Sequence, residues 1–323
     1  MSVMVGGITA AELDDIDIPA LSWTVPGLLP EGFGILAAAP KIGKSWLVLS
    51  LGLTVASGTE FLGVPVDQRP VLYLALEDGP RRLQERQRRI LDGQPAPEAL
   101  VLWTDPLDAL EMAKKFVTDN AGKNPVIVID TLARVRPARR RGADIYREDY
   151  EFGSSLKAIA DLGATVLGVH HTRKGESEDF LELASGTNGL MAAADFVMVL
   201  QRGRTESDAL LNITGRDVVE AGHRLLFDDG LWRPNGTGLT EAAQQAEFSR
   251  LGSHMRSVLA LVNSRDSTVA ADIVHLLDMD VDTAGRYLRR LVERGLIART
   301  GHGRYSPKSP SGCPVPESPQ VND

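Results

Sequence analysis

Six continuous apolar runs, without alternation of apolar and polar positions, divide the first two thirds of the 323-residue chain. Unbroken runs of this kind are typical of parallel strands that are covered on both faces. Helical patterns follow the first four runs. The runs are residues 34–38, 71–76, 100–103, 126–129, 165–169 and 196–200, and the helical patterns are residues 45–57, 81–91, 106–120 and 150–162.

Three later apolar runs are short and separated by turn residues, which predicts antiparallel strands at residues 210–214, 223–227 and 231–233. Strands that alternate with helices and then give way to hairpins predict an α/β fold. We expect a doubly wound, mostly parallel sheet with antiparallel edge strands. This domain would span residues 21–233, after a flexible lead-in at residues 1–20.

The C-terminal part of the chain has a different pattern. Residues 234–253 lose the strand pattern and are predicted to be a linker. Residues 254–305 contain three helical patterns and then two short strands around a turn, which is the order of a winged helix-turn-helix domain. Residues 306–323 are rich in Pro and Ser and are predicted to be disordered.

The formal net charge of −8 argues against an attraction of the whole surface to nucleic acid, although basic residues cluster locally. The single cysteine, Cys313, excludes a disulfide within one chain and fits a reducing compartment. No apolar run approaches the roughly 20 residues of a membrane span, and the N-terminus lacks the pattern of a secretory signal. We therefore expect a cytoplasmic protein with no membrane partner.

A loop of small residues joins the first strand to the first helix. Its Gly-Lys-Ser end fits the phosphate-loop pattern G-x-x-x-x-G-K-[ST], except that Ala38 replaces the first glycine and requires a negative φ there. Backbone N–H groups and the helix N-terminus of such a loop bind phosphate. Lys44 would reach the β- and γ-phosphates and Ser45 would ligate Mg²⁺. The predicted nucleotide-binding residues are Ala39, Pro40, Lys41, Ile42, Gly43, Lys44, Ser45 and Trp46.

Polar residues end three other strands, and ligands in open α/β sheets bind at the carboxyl ends of strands. Asp130 has the Walker B position and would hold Mg²⁺ through a water, with a turn aspartate as the alternative. Glu77 would orient and deprotonate the attacking water, with a helix-capping acid as the alternative. His170 or His171 would sense the γ-phosphate, and at least one of the two is expected to be a buried structural histidine.

Four features together resemble the RecA-superfamily ATPases, and most closely the RepA-like hexameric plasmid replicative helicases and their mobile-element relatives. They are the loop Ala-Pro-Lys-Ile-Gly-Lys-Ser, the second strand ending in Leu-Glu-Asp-Gly, Asp130 after the fourth strand, and the His-His pair after the fifth. The resemblance covers residues 20–233. It implies a RecA-like fold, ATP and Mg²⁺ as cofactors, and a homo-oligomeric ring.

In that superfamily the loops after the fourth and fifth strands line a central channel and contact single-stranded DNA. The resemblance implies this role for residues 134–142 and 172–179, whose cations would neutralise phosphates without sequence preference. Neither loop contains an aromatic residue, so neither offers base stacking, and a solvated basic loop is the alternative. The candidate DNA-binding residues are Arg134, Arg136, Arg139, Arg140 and Arg141 in the first loop and Arg173 and Lys174 in the second.

The predicted recognition helix of the C-terminal domain covers residues 283–295, with Leu288 and Leu291 on its buried face. Arg286, Arg289 and Arg290 are its candidate contacts with duplex DNA. Because acidic residues also occur in this domain, a protein-binding winged helix is the alternative.

The transferred phosphoryl group carries negative charge that the phosphate loop and Mg²⁺ offset only in part. The resemblance implies an arginine that completes the site of a neighbouring subunit, and Arg216 is the candidate. Arg202 and Arg204 are alternatives for that role. A surface ion pair of Arg216 with Asp217 or Glu220 is the competing interpretation.

Several functions fit these features. The basic loops favour an ATP-driven helicase or translocase that replicates a plasmid, phage or integrated element. The winged helix slightly favours an ATP-switched DNA-binding regulator, and a recombination-mediator ATPase is a third possibility. Stimulation of ATP hydrolysis by single-stranded DNA would select the first function.

Overall fold

A computed structural model of the chain describes residues 7–139, 142, 144–172, 181, 188–203, 205–250, 253–301 and 303–307. The chain divides into two compact units, Met1–Ala243 and Gln244–Asp323. The helices are α1 (Ala10–Asp14), α2 (Lys44–Ser57), α3 (Pro80–Leu91), α4 (Ala109–Asp119), α5 (Leu132–Val135), α6 (Ile145–Ala160), α7 (Asn188–Ala193), α8 (Leu239–Arg250), α9 (Ser253–Asn263), α10 (Ala270–Leu277) and α11 (Val281–Glu293). Across the described ranges, no helix combines the length and the apolar character that a bilayer crossing requires.

The strands of the first unit form one large sheet and two small hairpins. The hairpins are β1 (Trp23–Val25) with β2 (Leu29–Pro30), and β4 (Glu60–Phe61) with β5 (Val64–Pro65). The strands of the large sheet are β3 (Gly32–Ala38), β6 (Val71–Ala75), β7 (Leu100–Trp103), β8 (Val126–Asp130), β9 (Thr165–His171), β10 (Phe196–Arg202), β11 (Asp208–Gly215), β12 (Ala221–Asp228) and β13 (Leu231–Pro234).

The order in the large sheet is β13-β12-β11-β10-β3-β9-β8-β6-β7. In this sheet order, neighbouring strands from β10 through β3, β9, β8 and β6 to β7 are parallel. The strands β11, β12 and β13 pair antiparallel. The predicted α/β fold with a mostly parallel sheet and an antiparallel edge is therefore confirmed. The carboxyl ends of β3, β9, β8 and β6 lie side by side at one edge, where the phosphate loop begins.

The apolar run of β3 is continuous because both of its faces are covered. Phe33 and Ile35 belong to the core that includes Leu156 of α6. Leu36, which points to the opposite face, belongs to the core that includes Leu49 of α2. Residues that alternate along a strand point to opposite faces, so a sheet between two helical layers needs apolar residues at every position.

Two helices differ from the prediction, one because a polar cap extends it and one because small residues provide its buried face. α6 begins before the predicted residue 150, since the Asp144 carboxylate accepts a hydrogen bond from the Tyr146 N–H and caps the helix. α8 lies inside the predicted linker, where the buried Leu239 and Ala242 follow a helical spacing. The linker is thus largely helical.

Smaller differences occur in segments that were expected to be irregular. α1 lies in the predicted flexible lead-in, where Thr9 and Glu12 form a reciprocal capping box. α5 occupies the start of the basic segment after β8 as a single helical turn. Ser306 and Pro307 of the predicted disordered tail belong to the last strand, and residues 308–323 lie outside the described residues.

The second unit contains α9, α10, α11 and a three-stranded sheet. Its strands are β14 (Thr268–Val269), β15 (Ile297–Gly301) and β16 (Arg304–Pro307), in the order β14-β16-β15. Its core includes Val258 of α9, Ile273 of α10 and Leu288 and Leu291 of α11, all fully buried. The succession of three helices and a hairpin matches the order that the sequence predicts.

Candidate functional site

The phosphate loop runs from the end of β3 at Ala38 to the start of α2 at Lys44. The side chain of Ala38 disfavours a positive φ, and Ala38 does not adopt one. Lys41, with φ 68°, and Gly43, with φ 101°, have positive φ values. A side chain at Gly43 would be strained by this backbone and would also lie 3.0 Å from the Trp232 ring. Glycine at position 43 therefore has a clear structural reason.

Side chains from β10 and β13 hold the phosphate loop in place. The Trp232 indole N–H donates to the Gly43 carbonyl at 2.9 Å, and the Arg202 Nε donates to the Ile42 carbonyl at 3.1 Å. The Arg202 guanidinium also stacks over the Phe227 ring at 4.5 Å. Arg202 and Trp232 lie more than a hundred residues after the phosphate loop in the sequence. No local sequence pattern indicates that they form hydrogen bonds with this loop.

Lys44, His171 and Glu77 form a chain of contacts at the edge of the sheet. Lys44 is 6% exposed, and its Nζ lies 3.2 Å from the Nδ1 of His171. Because an ammonium group only donates, Nδ1 accepts, and the proton of neutral His171 is then on Nε2. That Nε2 lies 3.7 Å from the Glu77 carboxylate. Burial lowers the pKa of Lys44, while Asp130 and Glu77 act in the opposite direction.

Glu77 is also held from a second side, since the Thr131 hydroxyl donates to its Oε1 at 2.8 Å. Thr131 is fully buried and follows directly on β8, so its position is fixed by the sheet. The Glu77 side chain itself is 40% exposed. A carboxylate that is oriented by a buried donor yet open to solvent can accept a proton from a bound water.

Asp130 ends β8 and is 2% exposed. The Tyr73 hydroxyl donates to its Oδ2 at 2.9 Å. Burial raises the pKa of Asp130, while the hydroxyls of Ser45 and Tyr73 act to lower it. Burial and the Asp130 charge in turn raise the pKa of Tyr73 well above its ordinary value, which keeps this hydroxyl a donor.

The surroundings of Asp130 fit a magnesium ion. Its Oδ1 is buried and has no hydrogen-bond partner within ordinary geometric limits among the described side chains, so it is free to accept an ion or a water. No group of three His, Cys, Asp or Glu that could hold a metal occurs in the described ranges. Mg²⁺ commonly takes one or two protein oxygens, several waters and substrate phosphates, so Ser45 and Asp130 suit it.

A cavity of about 450 Å³ lies beside these groups and is lined partly by α3. The Asp78 carboxylate, at its wall, pairs with Arg82 at 2.8 Å and with Arg86. The Arg86 guanidinium also lies 5.2 Å from the centre of the Trp46 ring. The spacing of four residues between Asp78, Arg82 and Arg86 was the available sequence signal for this cluster.

The two adjacent histidines have different surroundings, because successive residues of β9 point to opposite faces. His171 contacts Lys44 and faces Glu77. His170 is half-buried, and burial, His171 and Arg136 together lower its pKa to about 4. His170 is therefore neutral at pH 7 and fits the structural member of the pair.

The candidate DNA-binding residues in the first loop have different environments. Arg134 and Arg139 are exposed, although the Nε of Arg134 donates to the Leu76 carbonyl at 3.2 Å. Arg136 instead pairs with Asp149 of α6, which is fully buried. The positive charge of Arg136 is therefore largely compensated within the protein. Arg140, Arg141, Arg173 and Lys174 lie outside the described residues.

Arg216 follows β11 at the edge of the sheet opposite the phosphate loop. Phe196 pairs with Gly215, whereas Leu200 pairs with Ala38 at the loop, so four residues of β10 separate the two ends by about 13 Å. Arg216 is 64% exposed in its side chain and lies 3.7 Å from Asp195, not beside the predicted surface acids. It cannot reach the phosphate loop of its own chain. Arg204 lies outside the described residues.

The candidate recognition residues of the second unit lie on α11. Arg286, Arg289 and Arg290 are exposed, while Leu288 and Leu291 of the same helix are fully buried. The helix therefore separates a basic face from an apolar one, as the sequence pattern predicts. Asp280 caps its N-terminus by accepting a hydrogen bond from the Thr283 N–H at 2.8 Å.

Comparisons with known proteins agree with this architecture. The sequence model of a family described as an AAA domain matches residues 5–177. The ATPase domain of G40P is similar in structure, with a TM-score of 0.51 and 16% identity over 63% of this chain and 84% of that chain. A DnaB-like replicative helicase, described with its primase interactions, has a TM-score of 0.50 and 16% identity over 62% of this chain. The chain spans 57% of that helicase. No curated protein matches the sequence. The likeness supports the fold, an α/β domain with a mostly parallel central sheet.

Proposed function

Because the chain belongs to the AAA domain family, we propose that it hydrolyses ATP and couples hydrolysis to movement on DNA, as a RepA-like helicase of a plasmid, phage or integrated element. The observation that carries this proposal is the convergence of Lys44, His171 and Glu77 beside a buried Walker B aspartate. These groups come from four neighbouring strands and share one edge of the sheet.

Each group then has a role in hydrolysis. Lys44 donates to the β- and γ-phosphates in place of its contact with His171. Glu77, oriented by Thr131, accepts a proton from the attacking water. Ser45 and Asp130 would hold Mg²⁺, which offsets the charge of the phosphate oxygens when bound.

His171 links phosphate binding to the water-activating carboxylate. Its two ring nitrogens face Lys44 and Glu77, so a γ-phosphate that attracts Lys44 changes the contacts of both nitrogens. The strand that carries His171 continues into the second basic loop, so ATP binding and hydrolysis would be communicated to DNA along β9.

Three observations support DNA as the partner. One structural neighbour is a replicative helicase. Arg134 and Arg139 are exposed on the segment that follows β8. The net charge of −8 disfavours DNA binding by an isolated chain, so a homo-oligomeric ring that gathers these cations around a channel fits better. In such a ring Arg216 would serve the site of the neighbouring subunit, because Arg202 already holds the phosphate loop of its own chain.

The second unit favours a second candidate function. Its basic helix α11, with Arg286, Arg289 and Arg290 exposed, would let a winged helix read duplex DNA. The protein would then be an ATP-switched DNA-binding regulator in which hydrolysis controls assembly on a site. A recombination-mediator ATPase has no specific observation in its favour.

ATP hydrolysis measured with and without single-stranded DNA, together with mass in solution, tests the proposal. We expect Mg²⁺-dependent hydrolysis that single-stranded DNA stimulates, in an oligomer. Lys44→Ala is the control variant and should abolish turnover while leaving the fold intact. Hydrolysis without stimulation, together with a defined footprint on duplex DNA, would select the regulator instead.

A further inference from the structure

Two tyrosines stand exposed side by side at the start of α6. Tyr146 is 50% exposed and Tyr150 is 46% exposed. Their ring centres are 6.4 Å apart and the ring planes differ by only 11°. The neighbouring Ile145 is also 47% exposed, so the N-terminal end of α6 exposes three large apolar side chains to solvent. Contiguous apolar patches on a protein surface commonly mark binding sites.

The tyrosine pair is joined to the basic segment that follows β8. Asp149 lies between the two tyrosines in sequence and pairs with Arg136 of that segment. Asp144, at the other end of the segment, caps α6 through the Tyr146 N–H. Arg136 and Asp144 are therefore both tied to the start of α6. Arg139 is three residues from Arg136 and lies within about 10 Å of it.

The turn that carries the tyrosines is rigid. α7 packs against it so closely that a Cβ at Gly189 would lie 2.2 Å from the Tyr146 carbonyl oxygen. On the inner side of α6, Phe152 and Leu156 are buried in the core of the sheet. A surface fixed in this way loses little conformational entropy when a flat ligand stacks on it.

The four carboxylates of this turn are each engaged by a neighbouring group. Asp149 pairs with Arg136, and Glu151 accepts from Arg147 at 2.9 Å. Asp144 accepts from the Tyr146 N–H, and Glu148 interacts electrostatically with Arg136. Arg134 and Arg139 are exposed on the adjoining segment. Cations beside stacked aromatic rings are the combination by which proteins bind single-stranded nucleic acid without sequence preference.

We propose that Tyr146 and Tyr150 form a stacking platform for the bases of single-stranded DNA, and that the exposed Arg134 and Arg139 contact its phosphates. This inference rests on the proposed function and extends it from phosphate contacts to base contacts. The aromatic residues that the two basic loops lack are supplied by the helix that follows the first loop. The Arg136–Asp149 ion pair positions the platform and does not itself contact the ligand.

The test compares two probes that share phosphates and differ in bases. A labelled oligothymidine of about 20 nucleotides and an abasic oligomer of the same length are titrated against the full chain, with ATP analogue present. We expect the wild-type chain to bind oligothymidine about 5-fold or more tightly than the abasic oligomer, as one stacked base predicts. Tyr146→Ala and Tyr150→Ala should lose this preference, while Tyr146→Phe and Tyr150→Phe should keep it.

The control is Leu162→Ala, which removes a 54% exposed apolar side chain just past the other end of α6. It should bind both probes as the wild-type chain does. Equal wild-type binding of both probes, or a preference that survives in Tyr146→Ala and Tyr150→Ala, overturns the platform and leaves DNA binding standing. Binding of neither probe overturns the proposed function as well. Dissociation of the oligomer in the alanine variants would instead assign the tyrosines to a contact with a second copy of the chain.

Discussion

The ion pair between Arg136 and Asp149 gives a prediction in which the two partners are not equivalent. The Asp149 side chain is completely buried, whereas that of Arg136 keeps 20% of its surface exposed. Removing one partner of a buried pair costs about 3–5 kcal/mol, because the other charge stays buried without compensation. The cost depends on which charge is left behind.

Asp149→Asn leaves a guanidinium that can still reach water, so we expect a loss near 3 kcal/mol. Arg136→Met leaves a carboxylate with no solvent contact, so the loss should approach 5 kcal/mol. The double variant Arg136→Met/Asp149→Leu buries no charge and should lie within about 1 kcal/mol of the wild-type chain. The two single losses are therefore expected not to add.

Thermal unfolding followed by tryptophan fluorescence measures these losses, because all four tryptophans lie in the first unit. For a unit of this size, 3 kcal/mol corresponds to a fall of about 6–12 °C in Tm. A larger fall for Asp149→Asn than for Arg136→Met would refute the reasoning. Losses that simply add in the double variant would do the same, since they would show that the two charges do not interact.

Three further predictions concern the site and its surroundings. Glu77→Gln keeps an oxygen to accept from Thr131, so it should bind ATP but turn it over at least ~10²-fold more slowly; near-normal turnover would return Glu77 to a capping role. The pKa of His170 is about 4 in the folded chain and about 6.5 when unfolded. The unfolded chain therefore binds more protons between these values, and stability falls as the pH is lowered through them. His170→Asn should remove up to about 3 kcal/mol of that dependence, measured as Tm at pH 7 and at pH 4.5; an unchanged dependence would contradict the assignment. Arg216→Ala and Lys44→Ala subunits, each inactive alone, should partly recover hydrolysis when mixed if Arg216 acts across an interface, and full activity of Arg216→Ala alone would exclude it from the site.

The fold was predictable because its signal is local. Unbroken apolar runs of four to six residues located every strand from β3 to β10 on the large sheet. The rule that parallel strands share their carboxyl edge brought Glu77, Asp130 and the His170–His171 pair to the phosphate loop. The roles of these residues remain predictions, whereas their proximity is a property of the structure.

What the sequence could not predict depends on pairing across long separations. The hydrogen bonds from Arg202 to Ile42 and from Trp232 to Gly43 join positions 160 and 189 residues apart. The sequence around Arg202 and around Trp232 gives no sign of the carbonyl group to which each side chain donates. Arg136 was assigned to DNA with its basic neighbours, because a charge pattern does not show that a buried aspartate on α6 will neutralise one of them.

The hydrogen bonds that Arg202 and Trp232 donate to the phosphate loop also bear on where the first unit can be truncated. The family match ends at residue 177, before β10 and the antiparallel strands that carry Arg202 and Trp232. In a fragment that stopped there, β3 would become an outermost strand with an unpaired row of N–H and C=O groups. Edge strands of that kind, flat and apolar, recruit strands from other chains and aggregate. We therefore expect a soluble fragment of the first unit to require β10, which covers β3, and to include Leu239, which belongs to its core.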